Sequence, residues 1–278
     1  MAVEKWLIDG EKVIDIDMVR KLKVGLIGGQ VDIVGHDEPG ARVEVHSVSG
    51  KPLKVSIDGD TLEVDHPQLS WDNFIEVFTS FRGNARAHVS IAVPRDVALK
   101  FGVVSANGLV SGLTEDAKIS TVSGDIVVDN VYGDLDLGSV SGEIAVRNHY
   151  GNITSKTVSG GLTASGEIMQ FTSNGVSGDV FLDLTGTPDS ASVKTVSGDV
   201  TVRLEAGVPA QYKVSTVSGK LQLDDSEITG VRGQYTGKYG ELHGQWLEFS
   251  ATTVSGDVAV VHANTARTAG ASAGGSGR

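Results

Sequence analysis

Along TVSGDIVVD (121–129) apolar and polar residues alternate: Val122, Ile126 and Val128 share one parity, and Ser123, Asp125 and Val127 take the other. That is strand periodicity, and the β-branched content agrees with it. The pattern returns in NVYGDLDLG and SVSGEIAVR, with Gly124, Gly133, Gly142, Gly151 and Gly160 each nine residues apart. Nine is odd, so an alternation of two cannot run unbroken through successive units. The slip falls at Asp129–Asn130, a turn-forming pair. Each unit therefore predicts a short strand and a corner, and two units predict one coil.

A second regularity sits on the first. From residue 120 onward Val-Ser-Gly occurs at 122–124, 140–142, 158–160, 176–178, 196–198, 217–219 and 254–256. Val122, Val140, Val158 and Val176 are spaced by 18, and Val104 extends the register backwards. A fixed short period marks a repeat architecture. The expected fold is all-β: a single-chain β-solenoid (β-helix) with coils of about 18 residues built from nonapeptide half-coils, preceded by a divergent β-strand region. Its structural repeat is Val122, Ser123, Gly124, Val140, Ser141, Gly142, Val158, Ser159, Gly160, Val176, Ser177, Gly178, Val196, Ser197 and Gly198. The motif valines take the inward, apolar parity, and each glycine lies where a Cβ would obstruct a bend or a close backbone approach. The gap of 37 before Val254 fits two turns, the middle one carrying KYGELHG (238–244). Nine stacked coils would form a rod on the order of 40 Å long.

Three regions follow: a divergent β-strand part with a cap (1–100), the repeat domain (101–262) and a flexible tail (263–278). In the first, KVIDID, LKVGLI, QVDIVG, ARVEVH, LKVSID and TLEVD read as strands joined by turn signals such as HDEPGA and IDGD. The stretch 71–93 holds one tryptophan and three phenylalanines and reads as a cap over the open end of the stack. GQYTGKYGELHGQWLEFS (233–250) would close the other end. The Ala/Gly/Ser/Thr-rich tail has no apolar period.

Composition narrows the function. Aromatics are 5% of the 278 residues and glycines number 36, which favours thin layers of Val, Ile and Leu. A formal net charge of −12 disfavours phosphate backbones and anionic lipid surfaces, so no nucleic-acid partner is expected. There is no cysteine, hence no disulfide, thiolate nucleophile or Cys-type zinc site. No window approaches 18 apolar residues, and the N-terminal stretch is not a secretory signal, so the chain as written is expected to be cytoplasmic, with surface association left open.

Known solenoid chemistries fit poorly. The calcium nonapeptide needs three glycines per unit, whereas one is reliable here. Hexapeptide coils need an aliphatic residue every six, yet steps of six from Val122 reach Val128 and then Asp134. Asp125, Glu143, Asp179, Asp199 and Asp257 should line one edge, interrupted by Gly161 and Lys220. Neighbouring acids about 4.8 Å apart repel by roughly 0.9 kcal/mol in water, tolerable for a solubilising stripe. His149, on the rung of Val131, Val140 and Val158, reads as a local irregularity, and Tyr132 and Tyr150 as a stacked pair. No Val-Ser-Gly copy forms a nucleophile elbow, GLIGGQ (25–30) lacks the ending of a phosphate loop, and no two-histidine metal spacing occurs. No catalytic, cofactor-binding or metal residues are expected, and no cofactor.

The T-V-S-G-D-[IV] coils and the divergent N-terminal strands resemble a bacterial domain family of unknown function, described as candidate adhesins with β-strand repeats and related to the toast-rack domains of envelope-stress proteins. The resemblance covers most of residues 20–262. It implies a β-helix and brings no catalytic residues. The expected function is a non-enzymatic interaction or scaffold module, adhesin-like, with a protein or polymer partner and self-association left open. An envelope-stress signalling module and a carbohydrate-active β-helix enzyme are the alternatives.

Overall fold

A computed structural model describes residues 4–67, 85–224 and 226–263. Among these the chain forms strands and no helix. The first strands are β1 (Glu4–Ile8), β2 (Lys12–Ile16), β3 (Lys21–Leu26), β4 (Gly28–His36), β5 (Ala41–Ser49), β6 (Leu53–Asp58), β7 (Thr61–Asp65) and β8 (Arg86–Pro94). The repeat supplies β9 (Ala98–Val103), β10 (Asn107–Ser111), β11 (Ala117–Thr121), β12 (Ile126–Asp129), β13 (Leu135–Ser139), β14 (Ile144–Thr157) and β15 (Leu162–Asn174). It continues with β16 (Val180–Leu184), β17 (Ser190–Lys194), β18 (Val200–Leu204), β19 (Ala210–Leu223), β20 (Ser226–Tyr239), β21 (Leu247–Thr252) and β22 (Val258–His262).

Two faces result. One runs β1–β6–β7–β3–β9–β11–β13–β14–β15–β17–β21–β19–β20. The other runs β2–β5–β8–β4–β10–β12–β14–β15–β16–β18–β22–β19–β20. The middle of each face is parallel and the ends are antiparallel. Successive coils stack in a register of 18, with Ile126 on Ile144 and Ile144 on Leu162, so each inward position meets its own repeat. Aliphatic residues such as Ile119, Leu137, Val146 and Leu182 fill one continuous core between the faces, with Phe101, Phe171, Tyr212 and Phe249 among its bulkiest members.

The expected plain solenoid needs correction. Long strands β15 and β19 each run through both faces, so the pairing closes into a ring of seven parallel strands, β15–β17–β21–β19–β22–β18–β16, with further strands outside it. Coil order also departs from chain order. The coil of β21 and β22 inserts between the coil of β17 and β18 and strand β19. The valine column therefore runs Val176, Val196, Val254 and then the Val217 copy. The stretch before Val254 holds no extra turn at 238–244. It forms antiparallel β20 on β19, and eight coils stand between Val104 and the Val217 copy instead of nine. The antiparallel hairpin consumes its residues along an outer edge instead of around the stack.

Residues 71–84 of the expected aromatic cap (71–93) lie outside the described residues, as do 264–278 of the expected tail. At the far end Tyr235 and Tyr239 of β20 pack on the core. His262, on the last strand, is bound from both ring nitrogens, 2.8 Å from Asp224 Oδ1 and 2.9 Å from the Val208 carbonyl, with the Tyr239 ring stacked on it at 3.7 Å.

Candidate functional site

The repeated corner is where sequence and surface meet. Its first residue is buried: Thr121, Ser139, Thr157, Thr195, Thr216 and Thr253 are all under 8% exposed. A buried hydroxyl needs a partner; at Thr121, Ser139, Thr195 and Thr253 the turn supplies one, whereas Thr216 Oγ1 has none among the described residues. Thr121 Oγ1 donates to the Gly124 carbonyl at 2.6 Å and Ser139 Oγ to that of Gly142, while Thr253 Oγ1 accepts from the Gly256 N–H at 2.9 Å. This bond across three residues folds the chain over at the corner.

The serine and the glycine tie coil to coil. Ser123 Oγ donates to the Val104 carbonyl at 3.1 Å, Ser141 Oγ to Val122 at 2.9 Å and Ser159 Oγ to Val140 at 3.0 Å. A Cβ on Gly142 would overlap the carbonyl of Gly124 beneath it, and the same holds for Gly160 over Gly142 and Gly178 over Gly160. The glycine reads as expected, a site of close backbone approach.

The acids after it are more than a solubilising stripe. Four of the five carboxylates accept the backbone N–H of the residue stacked on them, Glu143 being the exception: Asp125 Oδ1 from Glu143 at 3.0 Å, Asp179 Oδ1 from Asp199 at 2.9 Å, Asp199 Oδ1 from Asp257 and Asp257 Oδ1 from Lys220, both at 2.8 Å. Asn107 does the same for Asp125, and Asp116 for Asp134 half a coil away. A carbonyl oxygen serves as well as a carboxylate here. Asp199→Asn is therefore expected to unfold in urea within about 0.5 kcal/mol of the parent. Asp199→Ala, which strands the Asp257 N–H, should lose about 1 kcal/mol. Equal losses in both variants would show that charge, not the acceptor, matters.

The valine is the residue the sequence misplaces. Ile27, Val104 and Val122 are buried in a small corner cluster apart from the main core, and Val140 packs against it half-buried. From there the column is open: Val158 and Val176 are 49% exposed, Val196 47%, Val254 48% and Val217 61%. The expected inward parity thus fails for the motif valines from Val158 onward, and Val122 is buried outside the main core. The hydroxyl-to-glycine bond turns the chain between the buried threonine and the glycine, and the residue after the threonine points out of the main core.

The other singled-out residues lie apart from one another. His149 is buried with Nδ1 2.7 Å from the Val131 carbonyl, and Nε2 has no partner. Burial lowers its pKa against the raising effect of backbone hydrogen bonds. It stands over Val131 at a register shift in β14, while Val140 and Val158 belong to the corner column. Tyr132 and Tyr150 are 45% and 49% exposed, with ring centroids 6.0 Å apart and tilted by 36°. Among the described residues no group of three or more His, Asp or Glu side chains is placed to hold a metal ion, and no helix is long and apolar enough to cross a membrane.

Sequence reasoning missed three features. Buried His66 accepts the Ile27 N–H on Nδ1 at 3.2 Å. His262 and Asp224 form the pair at the far end. Lys100, Lys118 and Lys156 gather beside the valine column on the first face. Only the lysines carried a signal, since Lys100 and Lys118 are one coil apart.

Comparison with known proteins agrees with this architecture. No curated protein matches the chain. Among solved structures, a candidate lipid-binding protein from Parabacteroides distasonis is 12% identical, with 92% of this chain and 97% of that one covered and a TM-score of 0.53, a likeness of fold. A candidate cell adhesion protein from Clostridium sporogenes is 14% identical over 94% of this chain and 100% of that one, at a TM-score of 0.32. A candidate adhesin from Bacteroides fragilis is 11% identical over 91% and 99%, at 0.47. The model of one family, Toastrack DUF4097, matches residues 21–261, and the chain belongs to that family.

Proposed function

We propose that the chain is a non-enzymatic recognition module of the adhesin type, whose valine face holds a protein or polymer partner. One observation carries this reading. In the T-V-S-G corner the threonine, serine and glycine each have a contact that fixes the coil, yet the valine is repeated just as strictly and, from Val158 onward, stands about half exposed. A straight column of apolar side chains at strand spacing forms a continuous exposed ridge, and such ridges mark interaction surfaces. Its regular repeat suits a long partner of regular chemistry better than a compact one.

The test is a binding panel of neutral and anionic polysaccharides and surface proteins, with product analysis of each polysaccharide. The triple variant Val176→Thr, Val196→Thr, Val254→Thr keeps β-branched side chains and adds hydroxyls to the ridge. It is expected to bind the selected partner at least about tenfold more weakly, about 1.4 kcal/mol, with its melting temperature retained. Full binding by the variant, or turnover of any polysaccharide, would overturn the proposal. Fractionation with N-terminal sequencing assigns the compartment: a cytoplasmic scaffold if the intact chain is recovered there, an adhesin if it is at the surface.

A further inference from the structure

Beside the buried start of the valine column the first face carries a groove of about 390 Å³, within the size range of small-molecule sites. Register explains why it is open. Gly102, Ser120 and Gly138 stack directly on one another through β9, β11 and β13, so three consecutive coils bring almost no bulk to one outward position. Val122, Val140 and Val158 form one wall. The next residue in the same row is Lys156 of β14, which closes the trough at its end. Four coils give it a length of about 14 Å.

The charge around this groove runs against that of the chain. In a molecule of net charge −12, Lys100, Lys118 and Lys156 all line it. Lys118 is engaged by Asp136 at 2.5 Å. Lys156 is exposed and makes no ion pair among the described residues. Like Lys118, Lys100 at the Gly102 end is not free, so the site is a narrow apolar trough whose unpaired cation, Lys156, stands at one end.

We propose that this groove binds a long-chain carboxylate, its head on the Lys156 ammonium and its alkyl chain lying over Gly138, Ser120 and Gly102. Three other occupants fit less well. An added β-strand finds no free edge, because β11 and β13 are each paired on both sides. A sugar chain would seek an exposed ring to stack on, and among the described residues the one aromatic in the lining, Phe101, is 1% exposed. A polyanion such as a phosphate backbone meets too few cations and a repelling whole. The ligand that matches is apolar for most of its length and singly charged.

The test titrates the full chain with dodecanoate and with dodecanol, both below their aggregation limits, by calorimetry. Saturable one-to-one binding of dodecanoate is expected, with dodecanol at least tenfold weaker. Lys156→Glu should weaken dodecanoate at least tenfold and leave dodecanol unchanged. Ser120→Phe, which fills the trough, should abolish binding of both while the unfolding transition stays in place. Lack of saturable dodecanoate binding, equal affinity for the alcohol, or full affinity in Lys156→Glu would each overturn the proposal. Adsorption to phosphatidylglycerol vesicles without binding of monomeric dodecanoate would overturn it as well, in favour of a membrane surface.

Discussion

Replacing Gly142 by valine is expected to destabilise the protein by about 3 kcal/mol or more and to lower the melting temperature by about 6–12 °C. The new Cβ would overlap the Gly124 carbonyl oxygen, stand 3.0 Å from its carbon and 3.1 Å from Thr121 Cγ2. Two of these three atoms are backbone, held by the coil below, so no rotamer change relieves the overlap. The stack must open locally, and with it the hydrogen bond from Ser141 N to the Val122 carbonyl, now 2.8 Å. Gly138 supplies the control. A Cβ there meets only the Ser120 side chain, at 3.3 Å from Oγ and 3.7 Å from Cβ. Gly138→Ala should therefore stay within about 0.5 kcal/mol of the parent. Thermal and urea unfolding of the two variants side by side decides the matter, and a melting temperature for Gly142→Val equal to that of Gly138→Ala would show that the coils do not approach as described.

The contrast between these glycines shows what a single sequence can and cannot convey. The all-β class, the 18-residue register and the motif glycine were legible because each is local or strictly periodic: Gly124, Gly142 and Gly160 repeat since each faces its own copy across one coil. The exposure of Val158 was not, because strand alternation assumes a straight chain. It misses the hydroxyl-to-carbonyl bond that turns the corner, although the recurrence of Thr121, Ser139, Thr157 and Thr195 held the clue. The exchange of coil order between Val254 and the Val217 copy depends on pairing across the long hairpin of β19 and β20, and a gap of 37 residues is equally compatible with two sequential turns. The groove was invisible for a related reason. Gly102, Ser120, Gly138 and Lys156 are unremarkable one at a time and become a trough ending in a cation only once the register places them in a row.

Stability should fall by about 3 kcal/mol as the pH drops from 6.5 to about 4, and His66 is the main reason. His66 is fully buried, with Nδ1 accepting the Ile27 N–H and Nε2 without a partner among the described residues. Burial disfavours the imidazolium and lowers the pKa from 6.5 to about 4. The unfolded chain then binds the proton first, so between those two values it holds more protons than the folded one, and protonation draws the equilibrium towards unfolding. The contribution is complete above pH 6.5 and is lost as the pH approaches the folded value. His149, also lowered by burial, acts in the same direction. Asp65 acts in the opposite one: desolvation raises its carboxyl, so it takes up its proton in the folded state first and gains stability as the pH falls. His66→Leu separates these terms. The variant strands the Ile27 N–H and should be less stable at pH 7 by about 1–3 kcal/mol, yet its stability should decline less steeply between pH 6.5 and 4. Urea unfolding at half-unit pH intervals measures both slopes, and parallel curves for the parent and His66→Leu would rule His66 out as the source of the acid sensitivity.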